Sequence, residues 1–319
     1  MPKSSELEFA YVNYAHGGAA AGDWLGSPGE FSMDGLVELF DADGRWPDLG
    51  VIGEPERWGF HGQEGKLMAA TALNEASRRG YAIELGTLPR KWGPIGPAFI
   101  YDTTRVNLHL FFSGNEPDFY SRNRNLAHVS LRGRPNHRMN VVGYHGDIHS
   151  PIYQYLDAQM FRQYADPAVP TAILADWNAT LSGPRSEPQN FEVYDEFWQF
   201  ARLVTWDPNT PHGHPYTADC TAMNYLCGRW QPGSDGTGGR RVGGVGFAHA
   251  AELDGVHTPT TYPKPSGRDC RQIDGAILNA SAAAMLVPGS VQIHEPRDPR
   301  NPPSDHKRFS CTLDLSAAA

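Results

Sequence analysis

Seven short runs along the chain are apolar, or alternate apolar with polar residues, as strands do. They are Leu7–Tyr14, Leu49–Gly53, Ala98–Tyr101, Met139–His145, Thr171–Ala175, Gln272–Leu278 and Phe309–Leu315. Three stretches between them carry apolar residues at helical spacing. In "SMDGLVELF", Met33, Leu36, Val37 and Phe40 share a face, and Ser32 is the expected N-cap. In "IYQYLDAQMFRQYADP", Tyr153, Leu156, Met160, Phe161 and Tyr164 form a stripe that Pro167 ends. Gln63–Arg79 is the third, closed by Gly80. Strands interleaved with helices predict an α/β fold. No internal repeat or linker divides the chain, so residues 1–319 are expected to form one domain.

A chain of 319 residues that is 40% hydrophobic can bury a sizeable core. Its net charge of -9 excludes a uniformly basic nucleic-acid binder but leaves room for a local basic patch. One stretch offers such a patch. From Phe119 to Gly146 there is no Asp or Glu, while Arg122, Arg124, Arg132, Arg134 and Arg138 all occur. This is either a solvated face or an edge that contacts phosphates. No apolar stretch reaches the length of a membrane span. The polar start "MPKSSELEFA" shows no secretory signal, so a cytoplasmic protein without membrane insertion is expected. Cys220, Cys227, Cys270 and Cys311 form no C-x-x-C pair. They are expected as reduced thiols, with a Cys220–Cys227 bridge as the alternative in an exported chain.

The chemistry collects at the strand ends. These ends offer Asn13, Glu54, His145 with Asp147, Asp176 with Asn178, Asp274, and Asp305 with His306. A single polar strand end is ordinary. Six of them supply carboxylates and amides that suit a hard cation such as Mg²⁺, and histidines that suit proton transfer. Residues i and i+2 of an extended chain point to one face, so Asp176 and Asn178 of "ADWN" are placed to enter one pocket. Three other features are rivals. "HGDIH" offers His145, Asp147 and His149 as zinc ligands, but Gly146 and the preceding "MNVVGY" favour a strand and turn over a helix. His212 and His214 in "TPHGHPY" read as surface histidines of a Pro-rich loop, and Trp206 and Trp230 as core or substrate-insertion aromatics. The Gly-rich "GRWQPGSDGTGGRRVGGVG", Gly228–Gly246, lacks any phosphate-loop motif and is expected as a surface loop. A lid in which Arg240 and Arg241 close over an anion is the alternative.

The ordered series "N", "PDLGVIGE", "YH", "ADWN", "QID" and "SDH" resembles the endonuclease/exonuclease/phosphatase superfamily, which has the deoxyribonuclease I-like fold. The resemblance spans Glu8 to Leu315. "ADWN" is similar to the family's G-D-F-N, with Ala175 and Trp177 in place of the usual residues. In "PDLGVIGE", Gly53 stands where glutamine is common. The resemblance implies two mixed β-sheets packed face to face, helices on the outer faces, and one cleft at the strand ends. A substrate-specific insertion is expected within 179–270. The activity implied is a Mg²⁺- or Mn²⁺-dependent phosphoesterase. Glu54 would bind the cation, assisted by Asn13 and Asp305. Asp176 would orient or deprotonate the attacking water, and Asn178 would hold a phosphate oxygen. His306 would pair with Asp274 as general base or charge stabiliser, and His145, with His149 as its rival, would donate to the phosphoryl oxygens. Arg122, Arg124 and Arg138 are the expected substrate contacts. A nucleic-acid phosphodiester ranks first as substrate. A small phosphorylated metabolite or lipid headgroup, hydrolysed or transformed in the same cleft, ranks second. A scaffold that keeps the fold without turnover is disfavoured, since every one of these polar strand ends is present.

Overall fold

In a computed structural model of the chain, two six-stranded sheets lie face to face. All residues are described except 1–3, 20–30, 42–43, 56, 60–61, 87–95, 114–123, 148–149, 185–203, 207–215, 235–237, 263–269 and 318–319. In chain order the strands are β1 (Glu6–Asn13), β2 (Leu49–Gly53), β3 (Tyr81–Glu84), β4 (Ala98–Asp102), β5 (Val106–Ser113) and β6 (Arg124–Leu131). They continue with β7 (Met139–His145), β8 (Thr171–Asp176), β9 (Val204–Trp206), β10 (Tyr216–Ala218), β11 (Arg229–Pro232) and β12 (Gly239–Val242). The last four are β13 (Phe247–His249), β14 (Asp274–Asn279), β15 (Gln292–His294) and β16 (Arg308–Asp314). The first sheet runs β15-β16-β1-β2-β4-β3 and the second β13-β14-β8-β7-β6-β5. Each is mixed, with one parallel pair at its centre: β1 with β2, and β7 with β8.

Both faces of the central strands are covered, which is why they read as near-continuous apolar runs. Phe9, Tyr11, Val51, Phe99, Val141, Leu174, Leu278 and Phe309 fill the space between the sheets. Outside the first sheet, α1 (Asp34–Phe40) and α2 (Glu64–Ser77) pack on Val12 and Ile52 through Leu36, Phe40 and Leu73. Outside the second, α3 (Pro151–Met160) and the helix Thr221–Cys227 bring Ala158, Met223 and Leu226 against Val142, Tyr144, Ile173 and Trp177. Each fully buried Phe, Leu or Ile here contributes about 1.5–3 kcal/mol.

All seven strands expected from the pattern are present, with ends shifted by at most two residues. Of the nine described strands that the pattern missed, the two longest, β5 and β6, carry Asn107, His109, Asn125 and His128 among their apolar residues. A register shift between Leu108 and Leu110 in the edge strand β5 also breaks its alternation. Three helix details differ from expectation. Met33, not Ser32, is the N-cap of α1, and the Ser32 carbonyl instead accepts the Tyr14 hydroxyl at 2.7 Å. Arg78, in the left-handed conformation, closes α2 ahead of Gly80. On α3 the buried face is Gln154 and Ala158, while Tyr153 and Met160 of the expected stripe are exposed.

Cys220, Cys227, Cys270 and Cys311 are all free. No helix among the described residues is long and apolar enough to cross a membrane. The Gly-rich segment is not an open loop: β11 and β12 pair as an antiparallel ribbon. Arg241 lies over the Trp230 ring and pairs with Glu252 at 2.9 Å, and it donates to the carbonyls of Gly228 and Ser182. It is therefore committed to the fold and not held ready for an anion. Within 179–270, β13 pairs with β14 and so belongs to the core sheet.

Candidate active site

The topology brings the polar strand ends to one rim. The parallel pair of the first sheet ends at Asn13 and Gly53, which are register partners, and Glu54 follows. The parallel pair of the second ends at His145 and Asp176, also partners. Antiparallel β14 starts at Asp274 opposite Asp176, and antiparallel β16 starts two residues after His306. Strand direction thus converts six separate motifs into one cluster.

Asn13 bridges the sheets. Its Nδ2 donates to Glu54 Oε1 at 3.1 Å and to Asp176 Oδ2 at 3.2 Å. Asp176 Oδ1 accepts the Asn178 backbone N–H at 2.9 Å, so both carboxylate oxygens are held. His306 Nδ1 meets Asp274 Oδ2 at 2.7 Å, and its Nε2 faces Asp176 Oδ2 at 3.9 Å and Asp305 Oδ1 at 4.0 Å. His145 Nε2 stands 4.0 Å from Glu54 Oε1. Glu54 and Asn178 both take positive φ, 58° and 45°. For residues other than glycine that backbone is costly, and such strain gathers where side chains are aimed for function.

Supporting contacts fix these groups. Ser304 Oγ donates to the Asn13 carbonyl at 2.6 Å and accepts the His306 N–H at 3.2 Å. Thr260 Oγ1 accepts the N–H groups of Ile273 and Asp274. Buried Gln154 on α3 donates to the carbonyls of Asp147 and Asn178, tying the β7 and β8 exits together. Gly146 is clamped between them: it donates to Asp176 O, and its own carbonyl accepts Asn178 Nδ2. A side chain at 146 would stand 2.3 Å from the Trp177 carbonyl oxygen. Of these supports only Ser304 carried a signal, as the first residue of "SDH". Gln154 lay in a helix whose stripe pointed elsewhere, and Thr260 sits in an unpatterned loop.

Charge is concentrated and partly resolved within the site. Burial alone would lower the His306 pKa, but the charge and hydrogen bond of Asp274, with Asp176 and Asp305 adding, raise it to about 10. Burial raises Asp274 to about 6, and Asp176 adds to this against the lowering by His306. Near neutral pH the pair is an imidazolium and a carboxylate. Asn13 Oδ1 is buried with no hydrogen-bond partner. Beside Glu54 and Asp176, an unmatched amide oxygen is a donor set of the kind that Mg²⁺ or Mn²⁺ takes. A second grouping, Asp176, Asp274 and His306, has ligand atoms within 4.8 Å of one another. There His306 is engaged by Asp274 through Nδ1.

Asn13, Glu54, His145, Asp176, Asn178, Asp274, Asp305 and His306 are therefore gathered at one rim. Among the described residues, Arg124 and Arg138 are placed apart from it. Arg124 stands opposite Tyr144 in register, so it shares the outer face where Tyr144 bonds Asp157 at 2.8 Å, away from His145. Arg138 precedes β7 at the end remote from His145, roughly 20 Å away at strand rise. Arg132 bonds the Thr103 carbonyl. Arg122, the third of the expected substrate contacts, lies outside the described residues. His149, His212 and His214 also lie outside them. Asp147, from the zinc alternative, accepts the Ser150 N–H at 3.0 Å.

Two of the three departures from the family pattern have local causes. Trp177 packs against Tyr144 and Phe161 in the outer layer, with ring centroids 5.5 and 6.0 Å away. At Gly53, a Cβ would lie 2.5 Å from the Tyr11 hydroxyl.

No protein-family model and no curated protein sequence matches the chain; the likeness is one of structure. An endonuclease/exonuclease/phosphatase from Bacteroides vulgatus superposes with a TM-score of 0.55 at 12% identity, covering 97% of this chain and 99% of the other. ANGEL2, a 2',3'-cyclic phosphatase, gives 0.54 at 12% identity over 97% and 95% of the two chains. A mannosyl-6-phosphatase from Bacteroides thetaiotaomicron gives 0.50 at 13% identity over 96% and 98%. The chain has the fold of the endonuclease/exonuclease/phosphatase proteins along nearly its whole length.

Proposed function

We propose that this chain is a phosphoric ester hydrolase that works with a divalent cation, Mg²⁺ or Mn²⁺. One observation carries the reading: Asn13, Glu54, Asp176, Asp274 and His306, from both sheets, meet at one rim in a bonded network. Glu54 and Asn13 would hold the cation, with Asp305 approaching from the half-exposed edge. When bound, the cation supplies charge neutralisation at the phosphoryl oxygens.

The chain's own groups divide the remaining work. Asp176 is fixed at both oxygens and sits where it orients the attacking water. His306 carries a proton held by Asp274, so it acts as donor and charge stabiliser rather than as base. Asn178 and His145 flank this pair and present donors to a phosphoryl oxygen. Such prearranged donors are worth more in a partly dehydrated cleft than in water.

On substrate, Arg124 on the outer face and Arg138 remote from His145 speak against a nucleic-acid backbone lying along these two arginines. A small phosphorylated substrate, or the phosphate end of a larger one, fits the described site better. The neighbours that act on cyclic and sugar phosphates are consistent with this. Wild type should be assayed with Mg²⁺ against 2',3'-cyclic nucleotides, sugar phosphates, RNA and plasmid DNA. Glu54→Gln keeps size and removes charge, so turnover should vanish while circular dichroism and the melting temperature hold. The proposal fails if wild type turns over none of these esters, or if the variant matches it at limiting Mg²⁺.

A further inference from the structure

Trp58 is the largest fully buried side chain among the described residues. It packs in the outer layer of the first sheet with Val12, Leu36, Ile52 and Leu73. Its indole N–H donates to the Gly17 carbonyl at 2.8 Å. A phenylalanine would serve the apolar layer alone. The N–H adds a bond between two loops that are 41 positions apart in the chain. Gly17 lies four residues beyond Asn13, and Trp58 four residues beyond Glu54.

The contact is close on every side. Gly17 takes a φ of 63°, and a Cβ there would stand 2.5 Å from Trp58 Nε1 and 3.4 Å from the Glu54 carbonyl oxygen. At Gly65 on α2, a Cβ would stand 2.8 Å from Trp58 Cδ1. Each loop is folded back on itself. The Gly17 N–H donates to the Tyr14 carbonyl at 2.7 Å, and the Trp58 N–H to the Pro55 carbonyl at 2.9 Å. The ladder between β1 and β2 is ending here: the Tyr14 N–H reaches the Gly53 carbonyl only at 3.3 Å. Glu54 then takes its φ of 58°, a strained backbone that persists only where the surroundings hold it. The shorter indole bond spans the two loops where the ladder has run out.

We propose that Trp58 is a positioning residue: its indole clasps the exits of β1 and β2 together and so sets the spacing of Asn13 and Glu54 for a divalent cation. The inference rests on the reading of those two residues as the cation pair. Mg²⁺ demands near-ideal octahedral geometry, so a looser spacing weakens binding without altering any group that touches substrate.

The test is a Mn²⁺ titration of the full chain, read by electron paramagnetic resonance, which needs no substrate. Glu54→Gln should abolish the tight site and so identifies it. Trp58→Phe keeps an aromatic ring in the layer and removes the N–H. Its Mn²⁺ affinity should fall about tenfold, as when an outer support of a metal site is lost. Leu73→Ala is the control. It thins the same layer from α2 with no polar link to either exit, so the melting temperature should drop while Mn²⁺ affinity holds. Gly17→Ala presses on the clasp from the other side with the indole in place. It should also weaken Mn²⁺ binding, and it decides the matter if Trp58→Phe does not fold. Wild-type affinity in Trp58→Phe or in Gly17→Ala, or an equal loss in Leu73→Ala, overturns the inference and leaves the cation reading intact. A wild-type chain that binds no Mn²⁺, or a tight site retained in Glu54→Gln, sinks the cation reading and this inference with it.

Discussion

Replacing Asp274 with asparagine retains the shape of the side chain and removes the charge that holds the His306 proton. The consequence is set by how tightly that proton is held. His306 titrates at about 10 in the folded chain against 6.5 for an ordinary histidine. A group raised in this way stabilises the fold fully below its unfolded pKa and loses that contribution as pH climbs through the folded one. Between pH 6.5 and 10 the folded state binds one proton more than the unfolded state. Stability should then fall by about 1.4 kcal/mol per pH unit, and by about 4–5 kcal/mol at most across the window. An independent route gives a similar size: stripping one partner from a buried ion pair costs about 3–5 kcal/mol. Asp274 acts in the same direction at lower pH. Its pKa rises from 3.8 to about 6, chiefly by burial, so its contribution is present in acid and is lost as pH passes through 6. Urea unfolding of wild type and Asp274→Asn at pH 5 to 10 reads all of this. The gap between the two should be about 3–5 kcal/mol near pH 6.5 and should close toward pH 10. A gap that is constant with pH would refute the ion-pair argument, since mere loss of packing has no reason to titrate.

Two further outcomes follow from the placement of other residues. Binding of duplex DNA, measured with Ca²⁺ or with Glu54→Gln to prevent cleavage, should show a log–log salt slope shallower than about -1, because Arg124 and Arg138 do not face the site. A slope near -3 would mean about three phosphates neutralised and would restore the polymer substrate. Gly146→Ala drives a methyl against the Trp177 carbonyl oxygen, so calorimetry should show a loss of about 1–3 kcal/mol together with reduced turnover. An unchanged melting temperature would place Gly146 outside the clamp.

The central strands are written into the local pattern because of their burial. β1, β2, β7, β8, β14 and β16 are covered on both faces by core or helices, so apolar runs mark them with little ambiguity. Their polar ends were legible for the same reason: a carboxylate or amide that closes an apolar run stands out. The edge strand β5 and its neighbour β6 carry mixed polarity under weaker burial, and their pattern was silent. Which ends meet is a matter of strand pairing. The parallel pairings of β1 with β2 and of β7 with β8, and the antiparallel entry of β14 and β16, put six distant motifs on one rim. Strand direction and register are long-range properties that no local spacing encodes. The arginine run shows the same limit from the other side. It is continuous in sequence, yet strand alternation turns Arg124 outward and strand length carries Arg138 to the far end.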